Sequence, residues 1–417
     1  MSSATRAAIE AVWRIESARV IGGLMRLTKD LGRAEDLAQE ALLAALERWP
    51  EAGIPDNPGA WLVATGKNRT LDELRRDGMR ERKHAQLAPE LAVHHPELES
   101  DIDDARTSGG DDVLRLMLGT CHPVLSTEAR TALTLRLVAG LTTDEIARAY
   151  LLPEPTIAQR IVRAKRTLTE ARVPFEVPRG AELAERIATV IEVVYLVFNE
   201  GYAASSGGEW MRTDLCGEAL RLSRVLAALV ESDAEVQGLN ALLEIQSSRQ
   251  RARLAPDGTP VLLLDQDRSK WDALLIGRGL LALERAASLR EPLGPYTLQA
   301  AIAACHARAR RPEDTDWRRI VALYDALAAL TGSPVVELNR AVAVGMAFGP
   351  EEALELVDQL TADPRLEGYH LMASVRGDLL AKLGRNPEAR AELERAAFMT
   401  QNERERAMLV AKARSLP

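Results

Sequence analysis

Aromatic residues make up only 4% of this 417-residue chain: four phenylalanines, six tyrosines and six tryptophans. Few runs of β-branched residues alternate with period two, so neither pattern supports a sheet-based core. Cysteine is scarce as well. Cys121, Cys216 and Cys305 are odd in number and far apart, which excludes a disulfide framework and fits a reducing cytoplasm. The longest apolar-rich run, Ile187 to Phe198, is interrupted by Glu192 and is too short to span a membrane. The leading MSSATRAAIEAVWR has no apolar signal core. A nucleophile elbow, a P-loop and a dinucleotide fingerprint are all missing, so catalysis is not indicated. Two Cys-His dipeptides, Cys121-His122 and Cys305-His306, lack the paired spacing of a zinc site. Asp265, Asp267 and Asp272 fit no familiar calcium loop. The expectation is a cytoplasmic protein without membrane contact, catalytic residues, metal or cofactor.

Alanine, leucine, glutamate and arginine are plentiful, and all are good helix formers, so the chain reads as all-α. Its length allows about three domains. The net charge of −8 looks unpromising for a partner as acidic as nucleic acid until it is divided along the chain. Lys67 to Lys83 holds seven basic and four acidic residues, and a second basic stretch runs from Arg160 to Arg172. Between them, His84 to Asp112 carries eight acids and one base. That middle segment is also rich in Pro, Gly and Ser and has no apolar period, so it reads as a flexible acidic linker over 84–112.

The most specific local pattern is TTDEIARAYLLPEPTIAQRIVRAKRTL, Thr142 to Leu168. Thr142 and Glu145 have the spacing of a capping box and open a short helix. Leu151, Leu152 and Pro153 break it, and Pro155 sits where a new helix tolerates a missing N–H. At about 100° per residue, Ile157, Ile161, Ala164 and Leu168 share one face. Thr156, Gln159, Arg163 and Arg166 lie opposite, flanked by Arg160 and Lys165. One side is therefore built to dock on a domain. The other carries side chains suited to base edges and phosphates in a major groove, unless it is simply a solvated basic face. Val162 faces partly outward, toward either a thymine methyl or a further packing partner.

Upstream lie DLGRAEDLAQEALLAALERWP (Asp30 to Pro50) and NPGAWLVATGKNRTLDELRR (Asn57 to Arg76). Both resemble region 2 of the extracytoplasmic-function (ECF) sigma factors of bacterial RNA polymerase, and Thr142 to Leu168 resembles their region 4. Order and separation agree, and the likeness covers roughly the first 172 residues. The resemblance implies two helical domains, 8–83 and 113–172, that bind core RNA polymerase and promoter DNA. It places Asp36, Gln39, Glu40, Leu43 and Glu47 against a coiled coil of the largest polymerase subunit. It places the loop before Ala60 and the helix after it at the minus-ten element, where Asp56, Asn57 and Asn68 would supply polar edges to an unstacked base. Lys67, Arg69, Arg75 and Arg76 would then be cations for the displaced strand. The Thr156 to Leu168 helix would meet the minus-thirty-five element. Trp61 matches a family position that is a core residue. Gly66 departs from the family's larger helix formers; close approach of DNA and tight helix packing are both open explanations.

Beyond the tether Arg172 to Gly180, two regions remain, a helical one over 180–290 and another over 291–417. FNEGYAAS (Phe198 to Ser205) and LLDQDRSKWDALLIGRGL (Leu263 to Leu280) resemble an ECF subgroup with a long C-terminal extension. Gly377, Leu380, Ala389, Leu393 and Ala396 match the small-residue spacing of a tetratricopeptide (TPR) hairpin. A weaker phrase, GPEEALELV, precedes it by 36 residues when Ala353 is aligned with Ala389. The repeat pattern gives a TPR-like domain, with an unknown ligand or protein expected as its partner. The size of the extension behind a complete promoter-binding module leads to the expectation that it regulates the sigma regions in cis. The competing expectation is a helix-turn-helix activator with a TPR sensor, which leaves Asp30 to Arg76 unexplained.

Overall fold

The computed structural model of the chain describes residues 3–69, 109–150, 152–204 and 207–417. Every regular element among the described residues is helical; the only extended pairings there are isolated bridges between Gly207 and Asn402 and between Leu254 and Pro260. The all-α expectation holds. The helices form two compact units, Met1–Val193 and Val194–Pro417.

In the first unit, α1 (Ser3–Thr28) and α2 (Leu31–Ala52) pack as a hairpin. The Asp30 carboxylate opens α2 by accepting the Arg33 N–H at 2.7 Å. Leu31, Ala34, Leu37, Ala38, Ala41, Ala44, Ala45 and Trp49 then form one buried stripe. Helix α3, described over 58–69, starts where Asn57 Oδ1 accepts the Ala60 N–H at 3.0 Å. A Cβ at Gly66 would stand 2.8 Å from Leu24 Cδ1, so this glycine lets α3 lie tightly on α1. Helix packing therefore accounts for the departure at Gly66.

Helix α4 (Gly109–Thr120) begins inside the stretch read as linker; residues 84–108 of that stretch lie outside the described residues. Its Asp112 is buried and bridges Arg26 at 3.3 Å and Arg115 at 3.1 Å. Close approach is possible because Gly22 of α1 has no side chain: a Cβ there would meet the Asp112 carbonyl oxygen at 2.6 Å. Helices α5 (Thr127–Leu137), α6 (Thr143–Tyr150) and α7 (Glu154–Glu170) follow, and α6 and α7 form the helix-turn-helix. The capping box is complete. Glu145 N–H donates to Thr142 Oγ1 at 3.1 Å, and Thr142 N–H donates to Glu145 Oε2 at 2.7 Å. The buried residues of α7 are Ile157, Ile161, Ala164 and Leu168, as the helical period requires.

In the second unit, α10 (Ala234–Ser247) is buried on nearly every side by α9 (Thr213–Leu229), α11 (Ala273–Ser288) and α12 (Pro295–Arg308). From α13 (Trp317–Thr331) to the end, successive helices pack on their sequence neighbours as hairpins. Gly377, Leu380, Ala389, Leu393 and Ala396 are all buried. A Cβ at Gly377 would stand 2.9 Å from Leu393 Cγ, so the small residue sets how closely α16 (His370–Lys382) and α17 (Asn386–Met399) approach.

Candidate nucleic-acid interface

The apolar side of α7 docks on α5 and α6, which turns its opposite side outward. Thr156, Gln159, Val162, Arg163 and Arg166 are exposed, Val162 by 64%. Arg163 has no ion-pair partner among the described residues. Arg166 Nε donates to Glu170 at 2.6 Å, which raises the Arg166 pKa. Both side chains are solvated, so this pair is easily exchanged for another anion. Arg160 is half-buried on the flank. The Glu128 carboxyl is held below its ordinary range by its own backbone N–H, by Ser126 and, less strongly, by Arg160. Glu145 is engaged in the capping box.

Lys165 points elsewhere. Its ammonium pairs with Glu35 of α2, a residue 5% exposed that also meets Arg136 Nε at 3.3 Å and accepts from Gln39 Nε2 at 3.1 Å. In this conformation Lys165 belongs to a buried charge cluster and is not part of the exposed face. Glu35 escaped the sequence reading, although it lies on the same side of α2 as Leu31 and Ala38. Its partners Arg136 and Lys165 are more than a hundred residues away, so no local signal connects them.

The candidates around α3 fall into two groups. Asp56 and Asn57 are exposed at its N-terminal end, where Asn57 spends its carbonyl oxygen on the cap. Lys67 is half-buried, and Asn68 and Arg69 are exposed at the other end, about 15 Å away at 1.5 Å per residue. Arg69 Nη1 pairs with Glu40 Oε2 at 2.7 Å. Arg75 and Arg76 lie outside the described residues. Trp61 is half-buried, edge-on to Trp49 with ring centroids 5.2 Å apart, so it belongs to the domain's packing.

On α2, Asp36, Glu40, Leu43 and Glu47 fall within about 60° of one another. Asp36, Leu43 and Glu47 are exposed, Leu43 by 58%; Gln39 and Glu40 are half-buried in the bonds to Glu35 and Arg69. An apolar leucine flanked by acids suits a partner surface with a hydrophobic pocket and basic rim.

Burial explains the cysteines. Burial raises the Cys121 thiol to about 11, with Thr134 and Thr120 bonded around it, and the Cys216 thiol to about 12. Asp267 and Asp272 cap helical turns through Ser269 N–H and through Leu274 and Leu275 N–H. Among the described residues no group of three or more His, Cys, Asp or Glu side chains has the arrangement of a metal site. No described helix is long and apolar enough to cross a membrane.

Three family models match the chain. Sigma-70 region 2 matches residues 14–80, Sigma-70 region 4 matches 115–168, and a family of unknown function (DUF6596) matches 186–287. An uncharacterized protein of Rhizobium meliloti is 45% identical over 94% of this chain and 92% of its own length. The probable ECF RNA polymerase sigma factor SigI of Mycobacterium tuberculosis is 29% identical over 40% of this chain and 57% of its own. The RNA polymerase sigma-H factor of Pseudomonas aeruginosa is 28% identical over 38% of this chain and 82% of its own. No solved structure matches. With both sigma regions in order on a helical unit that exposes the polar face of α7, and a helical extension behind them, the chain belongs to the ECF-type sigma factors of RNA polymerase.

Proposed function

We propose that this sigma factor docks on core RNA polymerase through the Asp36–Glu47 face of α2 and directs it to promoters, acting in the cytoplasm without catalysing any reaction itself. Thr156, Gln159, Arg163 and Arg166 contact base edges of the minus-thirty-five element, with Arg160 on a neighbouring phosphate. Asp56, Asn57, Lys67, Asn68, Arg69, Arg75 and Arg76 engage the minus-ten element. Lys165 joins the DNA contact only after leaving Glu35. The working limits of the two sigma domains are 8–83 and 113–172, with the first turn of α4 added to the second, and the rest of the acidic segment 84–112 joins them.

The observation that carries this reading is the exposed row of hydrogen-bonding and cationic side chains on α7, whose apolar side is spent on the domain. Two regions complete for promoter binding are followed by about 240 further residues, which regulate them in cis through the high effective concentration of a covalently attached domain. The segments 180–290 and 291–417 make up that regulator, the second as a TPR-like surface for a ligand or protein.

Capture of purified core polymerase tests the docking face. Leu43→Asp is expected to weaken capture at least tenfold, since an exposed leucine in a partner pocket is replaced by a charge. Its solvated position predicts unchanged thermal stability. Full capture by the variant would remove α2 from the interface.

A further inference from the structure

Two half-buried arginines of the second unit have their carboxylate: Arg212 pairs with Glu200, and Arg224 binds Glu244 through two bonds of 2.7 and 2.8 Å. Three others have no carboxylate within ion-pair distance among the described residues. Arg249 and Arg253 are 8% and 7% exposed; Arg268 is half-buried, and Glu313 and Asp314 act on it only from farther off. Arg249 donates to the Tyr202 hydroxyl at 2.7 Å and to Gln246; Arg253 donates to the Tyr202 carbonyl. Arg268 Nη1 donates to the carbonyls of His306 and Ala309 at 2.6 and 2.7 Å. Every one of these acceptors is neutral, so the charges of Arg249 and Arg253 are held in the interior with no bonded carboxylate, where that is costly; at Arg268, Glu313 and Asp314 supply part of the compensation.

The rings around them supply part of the compensation. Arg253 lies 3.5 Å from the Tyr202 centroid, and Arg249 and Arg268 lie 5.7 and 4.8 Å from that of Trp271. What remains is a set of buried polar atoms with no partner: Arg249 Nε, Arg268 Nε, Trp271 Nε1 and His306 Nδ1. The first three are obligate donors. Burial, with Arg249 and Arg268 close by, lowers the His306 pKa to about 4, so its ring is neutral and able to present an N–H. Buried donors without acceptors, beside guanidinium groups bonded to no carboxylate, suit a compact anion with several acceptor oxygens.

A cleft lies on residues next to them. About 390 Å³ in volume, it borders Ala309, whose carbonyl holds Arg268, and is lined by Arg308, Arg310 and Arg319 with Asp314 and Asp316. Both acids are engaged, Asp314 with Arg311 at 3.0 Å and Asp316 as the cap of α13, which leaves a cationic mouth.

We propose that Arg249, Arg268, Trp271 and His306 form a binding site for a phosphate group, free or carried by a small phosphorylated molecule, entering through this cleft. The proposal is independent of promoter recognition, because it concerns a small ligand of the extension.

Titration calorimetry of the full chain with inorganic phosphate, at ionic strength held constant with chloride, tests it. Saturable binding is expected, with a matching rise in unfolding temperature. Trp271→Phe keeps the ring and removes one donor, so affinity should fall about tenfold. Arg268→Gln should remove the response. Arg308→Gln, on the cleft, should weaken binding in a fold left intact. Tighter binding of glycerol 3-phosphate than of phosphate identifies an ester as the ligand, and the reverse identifies the free anion. A flat titration, equal affinity in the wild type and Trp271→Phe, or equal saturation by acetate would each overturn the proposal.

Discussion

Arg163 carries the sharpest consequence at the scale of single residues, because it is exposed on α7 with no counter-charge to leave. Arg163→Ala and Gln159→Ala should each cost about 1–3 kcal/mol of promoter binding and relax preference at one base position. Lys165→Ala should cost less, since its ammonium already has Glu35. Competition binding to a panel of single-base promoter variants checks this; uniform loss across the panel would put Arg163 on phosphate. The helical period revealed which residues face outward on α7, because one side of that helix is apolar and the other is not. It did not reveal the pairing of Lys165, whose partner is 130 residues away. Nor did it show that Asn57 doubles as a helix cap, a role set by backbone geometry after Asp56.

His306 adds a pH dependence at the same scale. Its folded pKa of about 4 lies below the ordinary value of 6.5, so the unfolded chain binds the proton more readily. The stability that His306 contributes is fully present above pH 6.5 and is lost as pH falls toward 4. Denaturant unfolding of wild type and His306→Gln at pH 7.5 and pH 4.5 should show a smaller acid loss in the variant. An equal loss in both would mean that the ring is already protonated in the fold.

At the scale of elements, glycine decides how closely helices approach. Gly66→Ala gains about 1 kcal/mol of helix propensity, yet its Cβ would meet Leu24 at 2.8 Å. Overpacking should win, with a net loss of about 1–2 kcal/mol of stability, and Leu24→Ala should relieve the clash in the double variant. Thermal unfolding of the single and double variants checks the sign; stabilisation by Gly66→Ala alone would show that α1 and α3 have room. Amphipathic elements such as α2 and α7 were readable because their buried stripes recur at helical spacing. The central position of α10 was not, since a helix buried on almost all sides has no polar face to mark its orientation. The start of α4 at Gly109 was hidden for another reason: Asp112 looks like part of an acidic linker until Arg26 and Arg115 close on it.

For the whole molecule, the two sigma motifs made the family legible, whereas the grouping of Arg249, Arg268 and Trp271 in the extension arises from long-range contacts that no local pattern marks. The full chain is proposed to act as a promoter-specificity subunit under the control of its extension. Run-off transcription with purified core polymerase and genomic promoter fragments tests it most directly, comparing the full chain, Arg163→Ala/Arg166→Ala and a chain ending at Arg172. Discrete transcripts are expected that depend on this chain, fall at least tenfold in the double variant, and change in amount on truncation. Absence of any transcript dependent on this chain, with no copurification of core polymerase, would contradict it.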